Sequence, residues 1–389
     1  MPNNHPVILV HGLLGWGPKE LGPVRYWGSA LLVPSPLQRH EASVGPLGSA
    51  HDRACELAAQ IKGTPVDYGQ QHARKEGHER YGIDYTRGVD GFVPFVPDWS
   101  EQRPVHLVGH SLGSPTIRCL QHLLATDYWG WGSNERWVAS ITTLSGVSNG
   151  STLTYFFGAN ERTGLLKKES LGTAIFRIAE FYTAATGGIL DSIYNFDLDY
   201  WGFDRKEGES LLSFLERLGR SKFFQGKDNA CYSLTLQGAY ADNAVWKTYP
   251  DTYYFSYITE QTTEGWFSKR YYPDPRMNPA MLPLSAYIGQ KEFDRPPIPV
   301  EHFNSADWWE NDGAVPSYSQ LYPHISGEHP VGDEFNPDTP NESFQKGKWY
   351  YQWERDVDHL DICVSPQPDQ IGWQRRFYVV LFERLAALS

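Results

Sequence analysis

The amino-acid sequence predicts an α/β protein built on a parallel β-sheet with crossover helices. Three short apolar segments carry this prediction, at residues 7–10, 105–109 and 138–144. Each of them has the composition of a buried strand. A helical pattern at residues 114–124 separates the second segment from the third. Strand, helix and strand in that order are typical of parallel strands joined by a helical crossover.

The rest of the chain predicts further elements around this core. Helical patterns cover residues 164–190, 210–218 and 377–387, and a strand pattern covers residues 252–258. Residues 271–345 are dense in Pro, Asp, Asn and Gly, which favours loop structure. No segment has the composition of a linker. We therefore expect one domain, residues 1–389, enlarged by insertions.

Composition excludes several classes of protein. The 389 residues (44.2 kDa) carry 34 Lys and Arg against 46 Asp and Glu, a net charge of −12, which disfavours nucleic acid and anionic membranes as partners. No apolar run is long enough for a transmembrane helix. The four cysteines are scattered without a CxxC pair, which excludes a thiolate zinc site. No leader pattern is visible, so we expect a cytosolic protein, or a secreted one whose leader was removed.

Residues 109–113 read Gly-His-Ser-Leu-Gly and match the G-x-S-x-G pattern. The pattern lies between a predicted strand and a predicted helix, which is where a nucleophilic serine is held on a sharp turn. The helix that follows directs its N-terminus toward a developing oxyanion. Ser111 is therefore the predicted nucleophile. An ordinary glycine-rich turn is the alternative.

A His-Gly dipeptide at residues 11–12 directly follows the first predicted strand. In many serine hydrolases with this strand-and-turn arrangement, the second amide of the oxyanion hole lies at this position. We therefore assign the oxyanion hole to the backbone N–H groups of Leu13 and Leu112.

The remaining members of a catalytic triad should follow Ser111 in the order acid, then histidine. Among the later histidines, His359 lies in an Asp-His-Leu segment before the closing helix. Asp312 lies in the turn Glu-Asn-Asp-Gly at residues 310–313. Spacing alone leaves Asp307 and Asp358 as rival candidates for the acid.

Three sets of motifs together resemble one family. They are residues 11–17 with 26–28, residues 52–56 with 66–69 and 72–82, and residues 310–313 with 357–360. The chain is similar through them to the zinc-containing thermoalkalophilic bacterial lipases and the staphylococcal lipases. The resemblance implies an α/β-hydrolase fold and a triad of Ser111, Asp312 and His359.

The resemblance also implies metal sites. A structural zinc ion would be held in an insertion at residues 45–100, with the ligands Asp52, His72, His78 and Asp199. The family's calcium site has only Asp361 as a matching carboxylate here, and Ser365-Pro366 stands where the second one is expected. Because Ca²⁺ requires six to eight oxygen ligands, we expect calcium to bind weakly at best.

The family has a helical lid over the active site, and residues 163–195 match its position. The alternative is a pair of core helices. The implied activity is hydrolysis of carboxylic esters by a triacylglycerol lipase that acts on lipid substrate at an oil–water interface. The alternatives are a soluble esterase, thioesterase or acyltransferase on the same fold, and a binding protein with a broken triad. The oligomeric state stays open.

Overall fold

A seven-stranded β-sheet forms the centre of the protein in the computed structural model. The structure describes residues 3–18, 25–167, 196–204, 206, 208–364 and 366–389. The strands of this sheet are β1 (Val7–Val10), β2 (Arg39–Ala42), β5 (Val105–His110), β6 (Val138–Leu144), β7 (Tyr253–Glu260), β10 (Val331–Glu334) and β11 (Trp349–Arg355). Their order is β10-β11-β7-β6-β5-β1-β2, and each hydrogen-bonded pair is parallel.

Two short antiparallel ribbons lie outside this sheet. One joins β3 (Pro65–Asp67) to β4 (Tyr81–Asp84), and the other joins β8 (Thr262–Glu264) to β9 (Tyr271–Pro273). The second ribbon follows β7 after one residue, so it leaves the sheet at the carboxyl end of that strand.

The longer helices of the described residues flank the sheet. They are α1 (Ala50–Lys62), α2 (Gln70–Glu76), α3 (Gly113–Ala125), α5 (Leu211–Gly219), α8 (Leu236–Val245), α9 (Leu282–Ile288) and α11 (Ile371–Ala387). Four single-turn helices connect them: α4 (Leu153–Phe156), α6 (Lys222–Gln225), α7 (Ala230–Ser233) and α10 (Ser317–Gln320). None of the helices in these ranges is long and apolar enough to cross a lipid bilayer.

The strands β1, β5 and β7 are buried along their whole length. Strands that are covered on both faces read as continuous apolar runs, which is why the sequence identified them. The predicted α/β core is confirmed, with β1 and β6 at their predicted bounds and β5 one residue longer.

Two predictions about the sheet and its loops were incomplete. The sequence did not identify β2 or β11, because Arg39-His-Glu-Ala42 and Trp349-Tyr-Tyr-Gln-Trp-Glu-Arg355 mix charged with apolar residues. β2 forms one edge of the sheet, where polar side chains reach water. The prediction of loop over residues 271–345 was wrong in part, since β9, α9, α10 and β10 lie there.

Candidate functional site

Ser111 lies on the sharp turn between β5 and α3. Its φ is +54°, in the left-handed region, which is an unusual conformation for a residue other than glycine and is typical of a nucleophile turn. Its N–H donates to the Leu144 carbonyl at 3.0 Å and so fixes the turn to β6. A Cβ atom on Gly113 would collide with the Val10 carbonyl oxygen, so α3 approaches β1 closely only with glycine there.

His359 and Asp312 form a buried pair. The Nδ1 atom of His359 lies 2.8 Å from Oδ2 of Asp312, and the His359 N–H donates to the Asp312 carbonyl at 2.8 Å. Since a carboxylate only accepts hydrogen bonds, the imidazole carries a proton on Nδ1. Its Nε2 atom is therefore available to accept a proton from a nucleophile.

The Asp312 carboxylate is held by four other donors. Its Oδ1 atom accepts from the N–H groups of Ala314 and Val315, at 3.0 and 2.8 Å. Its Oδ2 atom accepts from the Thr259 hydroxyl at 2.8 Å and from the Gln320 amide at 3.1 Å. A fully buried carboxylate with this many donors has partners for both of its oxygen atoms and is held in one orientation.

The two rival acids lie elsewhere. Asp307 is exposed, and its carboxylate accepts from the Asn304 side chain. Asp358 is buried, but its carboxylate accepts from three backbone N–H groups, two in its own loop and one in a neighbouring loop. The geometry thus pairs Asp312 with His359.

Ser111 and His359 line one open cavity. Most of its wall is apolar, formed among others by Leu13, Leu14, Trp16, Val147, Leu153, Phe157, Leu166, Leu234, Leu284 and Val315. The backbone amides proposed for the oxyanion hole, at Leu13 and Leu112, donate no hydrogen bond to another described residue. Such a cavity suits an acyl chain with a polar carbonyl at one end.

A buried hydrogen-bond chain connects three loops of the site. The Tyr26 hydroxyl accepts from the Gly12 N–H at 2.8 Å and donates to Nδ1 of His110 at 2.6 Å. Burial holds the pKa of His110 well below its usual value, so the ring is neutral. Its Nε2–H then donates to the His359 carbonyl at 3.1 Å. The sequence analysis did not predict this chain of hydrogen bonds, although His110 is part of the G-x-S-x-G motif and directly precedes Ser111.

Replacing Tyr26 with phenylalanine should lower kcat about tenfold and leave KM nearly unchanged. The change leaves the Gly12 N–H and the Nδ1 atom of His110 without partners, which costs about 1–3 kcal/mol of stability. It also loosens the loop that carries His359. Steady-state kinetics on a soluble ester, with thermal unfolding, measure both effects.

Tyr254 provides the matched control for this variant. Its hydroxyl also accepts from a backbone N–H, that of Tyr249, and donates to a side chain, that of Gln121, each at 2.8 Å. Tyr254→Phe should therefore lose similar stability without a change in kcat. Equal kcat losses in the two variants would refute a positioning role for Tyr26.

A second group of titratable residues lies at the N-terminus of α1. Asp52, His72, His78 and Asp228 place one ligand atom each within 4.8 Å of all the others. The Nε2 atom of His72 lies 3.2 Å from Asp52 Oδ1 and 3.0 Å from Asp228 Oδ2, and that of His78 lies 3.3 Å from Asp228 Oδ2. Ligand atoms around a tetrahedral Zn²⁺ lie about 3.3 Å apart, so the group could bind a metal.

The electrostatics of this group fit a cation. Burial alone would lower the pKa of His72, but its hydrogen bonds to Asp228 and Asp52 raise it to about 10. The Nε2 atom of His78 is buried without a hydrogen-bond partner, while its Nδ1 atom lies 2.8 Å from the Glu79 carbonyl. That carbonyl fixes the tautomer in which Nε2 is a lone-pair donor.

The prediction of Asp199 as the fourth ligand is corrected by this geometry. Asp199 is exposed at the start of a 3₁₀ turn, Asp199–Trp201, and lies outside the group. The next residue, Tyr200, is buried and donates its hydroxyl to Asp52 Oδ2 at 2.9 Å. Asp228 is the fourth residue of the group, because its loop docks on the segment just before α1, where the Ala230 N–H donates to the Leu47 carbonyl at 2.8 Å.

Asp361 does not join a metal-ligating group of the described residues. Its Oδ1 atom accepts from the Gln367 N–H at 2.6 Å and its Oδ2 atom from the Asp358 N–H at 3.2 Å. Burial and the neighbouring Asp358 raise its pKa to about 7. Weak calcium binding here stays a prediction.

Other predictions of the sequence are not tested by the structure. Most of the predicted lid, residues 163–195, lies outside the described residues, which end at 167 and resume at 196. The assignment of residues 45–100 as an insertion also stays a prediction. That range contains α1, α2 and the ribbon of β3 and β4. It also contains Asp52, His72 and His78, three of the four residues that could bind a metal.

Known proteins resemble the chain over nearly its whole length. It is 31% identical to lipase 1 of Staphylococcus aureus over 95% of the chain, and 32% identical to a lipase of Staphylococcus epidermidis over 94%. The chain spans about half the length of these curated relatives, 52% and 51%. The model for the family described as "Lipase-like, C-terminal domain" matches residues 3–378.

Solved structures agree with these matches. EstA of Clostridium botulinum has a TM-score of 0.81 at 30% identity, covering 100% of this chain and 88% of its own. Lipase 1 of Pelosinus fermentans has a TM-score of 0.78 at 29% identity, with 100% of both chains covered. Staphylococcus hyicus lipase has a TM-score of 0.73 at 28% identity, covering 99% and 96%.

A parallel sheet with a serine on a strand-to-helix turn and a buried His–Asp pair is the arrangement of the α/β-hydrolases. The resemblance to lipases inferred from the motifs is confirmed by these comparisons. The chain belongs to the family of lipase-like C-terminal domains.

Proposed function

We propose that the chain is a lipase, a carboxylic ester hydrolase that acts through an acyl-enzyme on Ser111. The observation that carries the proposal is the convergence of Ser111 and the His359–Asp312 pair on one apolar cavity. The names of its relatives, lipases and an esterase, support the same activity.

The mechanism assigns a role to each polar group. His359 Nε2 accepts the Ser111 proton as the Ser111 hydroxyl oxygen attacks the ester carbonyl. Asp312 orients the imidazole and stabilises its positive charge. The N–H groups of Leu13 and Leu112 donate to the oxyanion of the tetrahedral intermediate. His359 then gives the proton to the leaving alcohol, and water releases the acyl group by the same route.

We also propose that Asp52, His72, His78 and Asp228 hold a structural zinc ion. Two imidazole nitrogens and two carboxylates form a closed tetrahedral set suited to Zn²⁺. A bound cation would neutralise the two buried carboxylates and tie the loop of Asp228 to α1. The group is separate from the residues that line the cavity, so we assign it no step of the reaction.

A substrate series tests the lipase activity. We expect hydrolysis of p-nitrophenyl esters to extend to long acyl chains and emulsified trioctanoin to be cleaved, because the cavity wall is apolar. Rates are measured with and without a zinc chelator. Confinement of activity to short, soluble esters would contradict the lipase and support a soluble esterase.

A further inference from the structure

The ribbon of β8 and β9 ends in two fully exposed aromatic side chains. Trp266 is 85% exposed and Phe267 is 97% exposed, the highest fractions among the exposed large apolar residues of the described chain. We call these two residues the aromatic tip. Exposed rings of this size are costly in water, so a pair of them on a protruding turn indicates contact with something apolar.

The turn that carries the aromatic tip is ordered by its own hydrogen bonds. The Gly265 N–H donates to the Arg270 carbonyl at 2.7 Å, and the Lys269 N–H donates to the Gly265 carbonyl at 3.0 Å. The Tyr272 hydroxyl of β9 donates to the Ser268 hydroxyl oxygen at 3.1 Å and so links the strand to the turn. The two rings are therefore held outward before any partner arrives, which reduces the entropic cost of docking.

The ribbon is fixed at both of its ends to the segment that carries the proposed catalytic acid, Asp312. The Arg270 guanidinium lies 4.1 Å from the centre of the Trp309 ring and pairs with Glu292 at 2.7 Å. The Gln261 N–H donates to the Asn311 carbonyl at 3.2 Å, one residue before Asp312. Trp266 follows Gln261 by five positions, so the two residues lie at most about 17 Å apart. The aromatic tip thus lies at the end of the sheet that also carries Ser111, His359 and the cavity they line.

We propose that the aromatic tip inserts into an uncharged or zwitterionic lipid surface and holds the cavity mouth against it. This proposal rests on the proposed function, because a lipase finds its substrate in such a surface. Trp and Phe favour the boundary between headgroups and acyl chains. Without such exposed apolar side chains, a polar protein surface gains little binding free energy from contact with an oil droplet.

Size and charge favour a lipid surface over other partners. The two rings offer about 400 Å² of apolar area, half of the roughly 800 Å² per partner that a stable protein interface needs. The cations next to the aromatic tip are paired, Lys269 with Glu264 at 3.5 Å and Arg270 with Glu292. The chain as a whole carries −12 charges, so an anionic membrane would repel it.

Binding to phosphatidylcholine vesicles tests the proposal. We expect the full chain to co-sediment with them, and the variant Trp266→Ser/Phe267→Ser to show a partition coefficient about tenfold or more lower. Its kcat/KM on p-nitrophenyl butyrate and its thermal midpoint should not change, while its rate on emulsified trioctanoin should fall. Adding anionic phosphatidylglycerol should not strengthen binding of the full chain.

Leu32 provides a control of the same kind on the opposite end of the sheet. It is 67% exposed, and its neighbours Ala30 and Val33 contact Arg39 at the amino end of β2. Leu32→Ser should bind vesicles as the unmodified chain does. Equal binding of the aromatic-tip variant and the unmodified chain would overturn the proposal. So would self-association that the variant abolishes in sedimentation velocity, because it would identify a second copy as the occupant.

The two proposals fail in different measurements. If the unmodified chain and the aromatic-tip variant bind vesicles equally while ester hydrolysis is intact, only the role of the aromatic tip is overturned. If no ester is hydrolysed but the unmodified chain still binds vesicles more strongly than the aromatic-tip variant, the lipase proposal is overturned and the lipid-binding surface stays supported.

Discussion

Ser111→Ala should lower kcat on every ester by at least about 10⁴-fold while the thermal midpoint changes by less than about 2 °C. The loss follows from the mechanism, since removal of the nucleophile leaves only the oxyanion donors and substrate binding. The fold should persist because alanine keeps the Cβ atom that the turn already accommodates at a φ of +54°. Burst kinetics should show no acyl-enzyme in the variant.

The control for this variant is the next serine of the same turn and helix. Ser114 is fully buried and donates its hydroxyl to the Gly109 carbonyl at 3.0 Å, away from the cavity lining. Ser114→Ala should cost about 1 kcal/mol of stability and keep most of the activity. If Ser111→Ala retained more than a small fraction of turnover, or Ser114→Ala lost as much, the nucleophile would have to be assigned elsewhere.

The strand-to-helix turn that carries Ser111 could be predicted from the sequence because its determinants are local. A buried strand, two glycines around Ser111 and a helix lie between residues 105 and 125, and the same residues produce the turn in the structure. The buried parallel strands were found for a similar reason, since burial on both faces leaves a continuous apolar run. Edge strands such as β2 lack that signal.

Pairings across the chain could not be predicted in this way. Asp312 and His359 are 47 residues apart, and spacing alone left Asp307 and Asp358 as alternatives until the geometry placed Asp312 at 2.8 Å from the imidazole. The chain of hydrogen bonds through Tyr26 and His110 crosses 84 residues. It depends on which loops meet at the carboxyl ends of β1 and β5, which no local pattern encodes.

The proposed metal site illustrates how a resemblance can indicate a cluster of candidate ligands and yet misplace one of them. The segment with Asp199 does reach the group, but through Tyr200, whose ring lies inward while Asp199 faces water. Asp228 lies 150 residues beyond His78 in sequence and precedes Asn229, the cap of α7. Only the docking of that loop beside α1 brings Asp228 to Asp52, His72 and His78.

Asp228→Asn should reduce metal affinity by at least about 100-fold, because it removes one of two carboxylate charges from the group. Asp199→Asn should leave it unchanged. Metal content after dialysis, measured by plasma mass spectrometry, should fall from about one ion per chain toward zero in the first variant alone. If Asp199→Asn lost the metal and Asp228→Asn kept it, the structural correction would be wrong and the sequence prediction right.

Stability gives a second readout of the same comparison. A metal at a thousandfold excess over its Kd stabilises the folded state by about 4 kcal/mol, so its loss should lower the thermal midpoint by roughly 5 °C. A zinc chelator should produce the same decrease in the unmodified chain and in Asp199→Asn, and no further decrease in Asp228→Asn. Should Asp228→Asn fold poorly, the chelator response of the other two proteins still decides whether the exposed Asp199 contributes. Asparagine keeps the shape of Asp228 and its neighbours, so a decrease that the chelator mimics assigns the stabilisation to the bound cation rather than to packing.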